Sequence, residues 1–250
     1  MIVIPAVDLR GGRCVRLLRG EASAETVYGD PVAMAERWAR EGAARIHVVD
    51  LDGAFAGTPK QMEVVRRIAQ EVEVPLQVGG GLRTAEAVAE ALEAGAVRAV
   101  VGTAAARDPS FIEELIRRFG VERIIAAVDA RDGRVAVEGW TREAETGAGM
   151  AELAGELAAR GVREILCTEI SRDGTLSGPD LDGLRQVARC GAGIIASGGV
   201  SSLEDLAALA ALEPNGVFAA VVGKALYEGR FSLEEAMAAA EDTAPGRPGV

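Results

Sequence analysis

Two hexamers decide the reading of this chain: "IPAVDL" at residues 4–9 and "IAAVDA" at residues 125–130. Each is an apolar, β-rich run that carries an aspartate, and Asp8 and Asp129 stand 121 residues apart. A core strand has no packing use for a carboxylate, and one buried without a partner is costly. A single such aspartate reads as a helix cap or a turn. Two, at matching places in the halves of one chain, point to a repeat with a purpose.

The repeat extends outward from the hexamers. "QVGGGLRTAEAVAEAL" (77–92) is answered by "IASGGVSSLEDLAALA" (195–210), and "AVVGTAAARDP" (99–109) by "AVVGKALYEG" (220–229). Gly81 and Gly199 are 118 residues apart, and Val101 and Val222 are 121 apart. "VVDLDG" and "CTEISRDG" also correspond, with two extra residues in the second. Short apolar runs predict strands near 2–7, 46–50, 75–79, 97–101, 123–128, 163–167, 193–196 and 218–222. Helices are predicted near 31–42, 60–71, 84–94, 109–119, 149–160, 180–190, 202–212 and 232–240. Asp30 with Pro31, and Asp108 with Pro109, read as helix starts. Glycines close helices in "REGA", "EAGA" and "ARGV". Eight βα units in 250 residues fit a (β/α)8 TIM barrel. The expected organisation is one barrel over 1–241, in half-barrels of about 1–120 and 121–241, with 242–250 as a flexible tail. A dinucleotide-binding G-x-G-x-x-G after the first strand is missing.

Composition narrows the chemistry. The chain is 49% hydrophobic, with 4% aromatics, and no apolar run approaches the roughly 18 residues of a membrane span. Its N-terminus lacks a basic start and a cleavage site, so the expected location is the cytoplasm. The net charge of −11 argues against a nucleic-acid surface, although backbone N–H groups can still hold a phosphate. Cys14, Cys167 and Cys190 fit no metal-binding spacing, so no metal is expected. His47, the only histidine, reads as a satisfied strand-end residue. With one histidine there is no Ser–His–Asp or H-E-x-x-H site, and acid–base work falls to carboxylates.

In a barrel, functional groups gather at the C-terminal ends of the strands. Alternation puts Ile4, Ala6 and Asp8 on one face, and likewise Ile125, Ala127 and Asp129. Strands one and five are opposite in an eight-stranded barrel, so Asp8 and Asp129 should face each other across the mouth. Gly80, Gly81, Gly102 and Thr103 form one glycine-rich cluster, and Gly178, Gly198, Gly199, Gly223 and Lys224 form another. Either could serve tight turns. Two opposed clusters suggest a ligand with a phosphate at each end. Thr168 shares the inward phase of Leu166. Asp173 and Gly174, in "TEISRDGTLSGPD", either shape that loop or approach phosphate. Trp140 either stacks on a heterocycle or forms a small core under its loop. Arg16 and Arg19, in a glycine-flanked first loop, either close over an anion or are solvated.

Together "IPAVDLRGGRCVRL", "HVVDLDGA", "VGGGLR", "VGTAA", "EISRDGTLSGPD", "ASGGVSSLEDL" and "VGKALYEGRF" closely resemble the phosphoribosylformimino-5-aminoimidazole carboxamide ribotide isomerases of histidine biosynthesis. The resemblance runs from Ile2 to about residue 240. It implies a two-halved barrel and a doubly phosphorylated small-molecule substrate, with no cofactor. It also implies an Amadori rearrangement of an aminoaldose to an aminoketose. Asp8 matches the family's general base, Asp129 its general acid, and Thr168 a residue assisting at the sugar. The expected partners are the substrate alone, with no nucleic acid, no membrane and a monomeric chain. Three alternatives stand beside this reading. "GWTRE" and the stretch from "ASGGVSS" onward are similar to isomerases that also act on phosphoribosylanthranilate, although those commonly have serine in place of Gly80. The cyclase subunit of imidazole glycerol phosphate synthase shares the repeat, but its first strand typically has cysteine where this chain has Ala6. A non-catalytic sugar-phosphate binder would keep the glycine clusters without needing both aspartates.

Overall fold

The computed structural model describes residues 1–140, 142–143 and 147–241. The tail expected at 242–250, and Thr141 of "GWTRE", lie outside the described residues. Eight parallel strands form the barrel: β1 (Ile2–Arg10), β2 (Ile46–Asp50), β3 (Leu76–Gly79), β4 (Arg98–Val101), β5 (Ile124–Arg131), β6 (Glu164–Glu169), β7 (Gly193–Ser197) and β8 (Val217–Val222). Each pairs with its sequence neighbours, and β8 pairs with β1, which closes the sheet. Closure leaves no unpaired parallel edge among these strands.

Eight long helices cover the outside, near the predicted positions: Pro31–Arg40, Met62–Glu71, Ala85–Glu93, Phe111–Phe119, Met150–Ala159, Leu181–Val187, Leu203–Ala210 and Leu233–Glu241. Local chemistry starts them. The Asp30 carboxylate accepts from the Ala33 N–H at 3.2 Å, with Pro31 opening the helix. Such a cap is worth about 1 kcal/mol. Asp108 departs from the expected pattern. It accepts from the Ser110 N–H at 3.0 Å and shapes a turn, and the helix begins at Phe111 rather than at Pro109. Among the described residues, no helix is long and apolar enough to cross a membrane.

The period of two divides the core into layers. Ile4, Ala6, Val100, Ile125, Ala127, Leu166, Ile195, Ala219 and Val221 fill the barrel interior. Their outward neighbours, with Trp38 at 0% exposure among the helices, make the larger core between sheet and helices. At the N-terminal end of the barrel the interior turns polar. The Arg45 guanidinium donates to Glu164 Oε2 at 2.7 Å, and Arg98 approaches Glu164 Oε1 at 3.7 Å. These buried charges are paired, as burial requires.

Two hairpins depart from the sequence reading. Arg13–Leu18 runs antiparallel to β1 and pairs onward with Glu21–Gly29, so the expected first loop is a β-ribbon. Arg134–Val137 runs antiparallel to β5 in the same way. Short helices Leu51–Ala56, Thr103–Arg107 and Lys224–Tyr227 also follow β2, β4 and β8.

Candidate active site

The strand ends surround one cavity, and most of the expected residues line it. Asp8, Asp129, Thr168, Asp173, Gly174, Arg16 and Trp140 are on its wall, as are Gly80, Gly81, Gly102, Thr103, Gly198, Gly199, Gly223 and Lys224. Gly178 and Arg19 are not. Gly178 donates its N–H to the Gly199 carbonyl at 2.9 Å and so fixes the loop behind the wall. Arg19 has an exposed side chain, and its backbone N–H donates to the Asp173 carbonyl at 3.2 Å.

Asp8 owes its surroundings to the first hairpin. Ladder pairing sets Asp8 opposite Val15, which brings the next residue, Arg16, back over the carboxylate. The Arg16 guanidinium donates to Asp8 Oδ2 at 2.7 Å, and both side chains are mostly buried. It also donates to the Ala6 carbonyl at 3.3 Å and lies 5.2 Å from the centre of the Tyr227 ring. Tyr227 in turn donates to the same carbonyl at 2.8 Å. A Cβ on Gly223 would sit 2.1 Å from an Arg16 nitrogen, so only glycine leaves room for this arginine. Arg16 is thus a partner of Asp8, neither a solvated residue nor part of a flexible loop.

Among the described residues, Asp129 has no such cation. Burial pushes its carboxyl above the ordinary range, opposed only by hydrogen bonding from the Trp140 indole and the Thr168 hydroxyl. Burial also raises Asp8, but there the Arg16 charge and hydrogen bond act in the other direction. The two carboxylates therefore share a mouth and differ in environment. Trp140 lies against Gly20, whose added Cβ would meet the ring at 2.4 Å, so the indole spans the mouth between the first and fifth loops. Asp173 is a third carboxylate in this group. Burial, with the Asp8 and Asp129 charges adding to it and Arg16 and Lys224 opposing it, pushes its carboxyl up to about 6.

The glycine clusters sit where the repeat placed them, at the ends of β3 and β4 and of β7 and β8. Gly80 has φ of +108°, and a Cβ there would come within 2.1 Å of the Asp50 carbonyl oxygen, so a serine at this place would force the loop apart. Thr103 accepts from the Glu138 N–H at 3.0 Å. Lys224 donates to the Gly174 carbonyl at 3.0 Å and lies 3.6 Å from Glu228, so it holds the sixth loop as well as lining the cavity.

Sequence reasoning passed over Asp50 and Glu169, which serve the loops. Asp50 accepts from the N–H groups of Lys60, Gly53 and Gln61 at 2.6, 2.7 and 2.9 Å. Glu169, its counterpart in the second half, accepts from the Ser171 N–H and hydroxyl at 3.1 and 2.6 Å. Strand phase separates these from the site residues. Asp50 pairs with Leu9 and points outward, whereas Asp8 pairs with Val49 and points inward.

Fold and site together define a (β/α)8 barrel built by doubling, with a carboxylate from each half brought to one mouth. The chain belongs to the histidine biosynthesis protein family, whose profile matches residues 2–232. It is 54% identical to a protein of Rubrobacter xylanophilus over 96% of each chain. It is 50% identical to one of Moorella thermoacetica, over 97% of this chain and 99% of that one. It is 52% identical to one of Desulforudis audaxviator, over 95% of this chain and 90% of that one. Each of these relatives is named 1-(5-phosphoribosyl)-5-((5-phosphoribosylamino)methylideneamino) imidazole-4-carboxamide isomerase.

Proposed function

We propose that this chain catalyses the isomerisation for which its relatives are named, an Amadori rearrangement of the phosphoribosylamino sugar to its ketose form. The observation that carries the reading is the unequal pair: Asp8 beside Arg16, and Asp129 beside no cation among the described residues. An Amadori rearrangement needs a protonated acid and an ionised base at the same moment. Asp129, whose carboxyl burial raises, is the group assigned as the acid, and it donates its proton to the furanose ring oxygen, giving an open-chain iminium. Asp8, on which the Arg16 charge and hydrogen bond favour the ionised form against burial, removes the proton from the adjacent carbon. The enolamine then tautomerises to the ketone, with Thr168 beside Asp129 at the sugar. Aldose and ketose have the same oxidation state overall, so proton transfers alone balance the reaction and no cofactor is drawn on. The glycine-lined walls at Gly80, Gly81, Gly102 and Thr103, and at Gly198, Gly199, Gly223 and Lys224, take the two phosphates.

Turnover of the named aminoaldose by wild type, Asp8→Asn and Asp129→Asn tests the reading. Each variant should lose roughly 100-fold or more in kcat, with KM little changed. Variants that keep wild-type turnover would overturn the assigned roles. The same assay with phosphoribosylanthranilate is expected to give no turnover, since this chain has Gly80 where the dual-activity enzymes commonly have serine. An inactive wild type would return the cyclase and the non-catalytic binder to consideration.

A further inference from the structure

His47 is not used by the mechanism above, yet it lines the same cavity. It is inward on β2, paired with Ala6, one inward layer below Asp8, and only 7% exposed. Its ring nitrogens have different fates. Nδ1 lies 2.9 Å from the Gln77 amide nitrogen. The Gln77 amide orientation is fixed from its other end, because Arg45, which can only donate, gives a hydrogen bond to Gln77 Oε1 at 3.2 Å. Arg45 is itself held by Glu164 at 2.7 Å. The chain of donors therefore has one direction: Arg45 donates to Gln77, and Gln77 donates to Nδ1.

An accepting Nδ1 in a neutral ring places the ring proton on Nε2. The ring is neutral, since burial and the nearby Arg16 charge push its pKa down to about 3. The charged groups around it are Arg16 and Asp8 above and Arg45, Glu164 and Arg98 below, each of which has its own partner. No protein group accepts from Nε2 among the described residues, and it is not among the buried atoms left without a partner, so it opens to the cavity.

We propose that His47 is a tautomer-locked, neutral hydrogen-bond donor for the substrate, aimed at the sugar oxygen on the carbon that Asp8 deprotonates. This rests on the reading of function given above. The Nε2–H would hold that oxygen in place while Asp8 takes the carbon proton, would stabilise the oxygen as its hydroxyl proton leaves in the step from enolamine to ketone, and would keep its own proton throughout. Its neutrality matters, because an imidazolium beside Asp8 would weaken the base.

Because His47 is the only histidine in the chain, its ring can be observed without assignment. Long-range proton–nitrogen correlation on uniformly 15N-labelled protein without ligand should show one ring, protonated at Nε2, bare at Nδ1, and unchanged from pH 8 to 5.5. A proton on Nδ1, or a titration in that range, would overturn the proposal. Turnover supplies the second arm. His47→Phe should lose about 10-fold in kcat with KM nearly constant, and His47→Gln, which places an amide donor near Nε2, should recover part of the loss. Equal kcat in wild type and His47→Phe would refute a donor role. Inactivity of the wild type would overturn the functional reading on which the proposal rests, while the ring spectrum would still decide the tautomer.

Discussion

Replacing Arg16 by methionine removes the cation that sets Asp8 apart from Asp129 among the described residues. Methionine keeps an unbranched side chain against Tyr227 and removes the charge that lies 2.7 Å from Asp8 Oδ2. With charge centres about 4 Å apart and an effective dielectric of about 20, the pair is worth roughly 4 kcal/mol before solvent screening. At 1.36 kcal/mol per unit that is about 3 pK units, and with the two side chains partly exposed a rise of about 1–3 units is expected. The sign follows from the role proposed for Asp8, that of the base. Its carboxyl must be ionised, burial already raises its pKa, and loss of Arg16 raises it further.

The assay is kcat/KM against pH, which reports ionisations of the free enzyme and free substrate. The substrate phosphates titrate identically with both enzymes, so a difference between profiles belongs to the protein. The acid limb of Arg16→Met should move up by about 1–3 units, with rates falling about tenfold per unit below it and approaching wild type above it. A loss of the same size at every pH would refute the reasoning. It would make Arg16 a substrate-binding residue whose contact with Asp8 is incidental.

Gly223→Ala should reproduce that shift with little change in melting temperature, because the new methyl would displace only the flexible end of Arg16; an unmoved acid limb would show that the arginine stays in place. Asp129→Asn should melt higher than wild type at pH 8. A carboxyl raised on folding contributes stability below its unfolded pKa and loses it as pH rises, so the gap should close toward pH 4. Each 1 kcal/mol relieved should appear as about 2–4 °C, and a lower melting point at pH 8 would contradict this. Asp50→Ala should lower stability in urea by about 3 kcal/mol, because three backbone N–H groups lose a charged acceptor; a cost under about 1 kcal/mol would mean that water replaces it.

The eight strands were legible because each is a short apolar run between helices with capped starts and glycine ends. Asp8, Asp129 and Thr168 were legible because the period of two carries an inward phase from the strand to its last residue. Arg16 was not legible as the partner of Asp8, since the contact depends on a hairpin whose second strand is rich in charged and small residues. One signal was present. "RGGR" at residues 10–13 puts two glycines between flanking strands, and Gly11 and Gly12 adopt φ of +54° and +75°, as a two-residue hairpin turn requires. Arg19 and Gly178 were misplaced for a related reason. Arg19 falls in the tight turn between the two ribbon strands with its side chain exposed, and Gly178 bonds Gly199 behind the wall, so neither lines the cavity.

The same turn explains how a doubled barrel escapes its own symmetry. "RDGR" at residues 131–134 is the second copy of "RGGR", 121 residues on, with Asp132 and Gly133 at φ of +51° and +78°. Both turns fold a strand back onto the barrel strand that carries the aspartate: Arg10 pairs with Arg13, and Arg131 with Arg134. At the same offset, Val137 occupies the place of Arg16, and Trp140 that of Arg19. One copy of the hairpin therefore returns a guanidinium to its aspartate, and the other returns a buried valine and an indole. Two carboxylates at equivalent strand positions in an unmodified repeat would share one environment, and neither would be poised as acid while the other was poised as base. The difference between the two environments thus lies outside the barrel strands, in the returning arms of two hairpins.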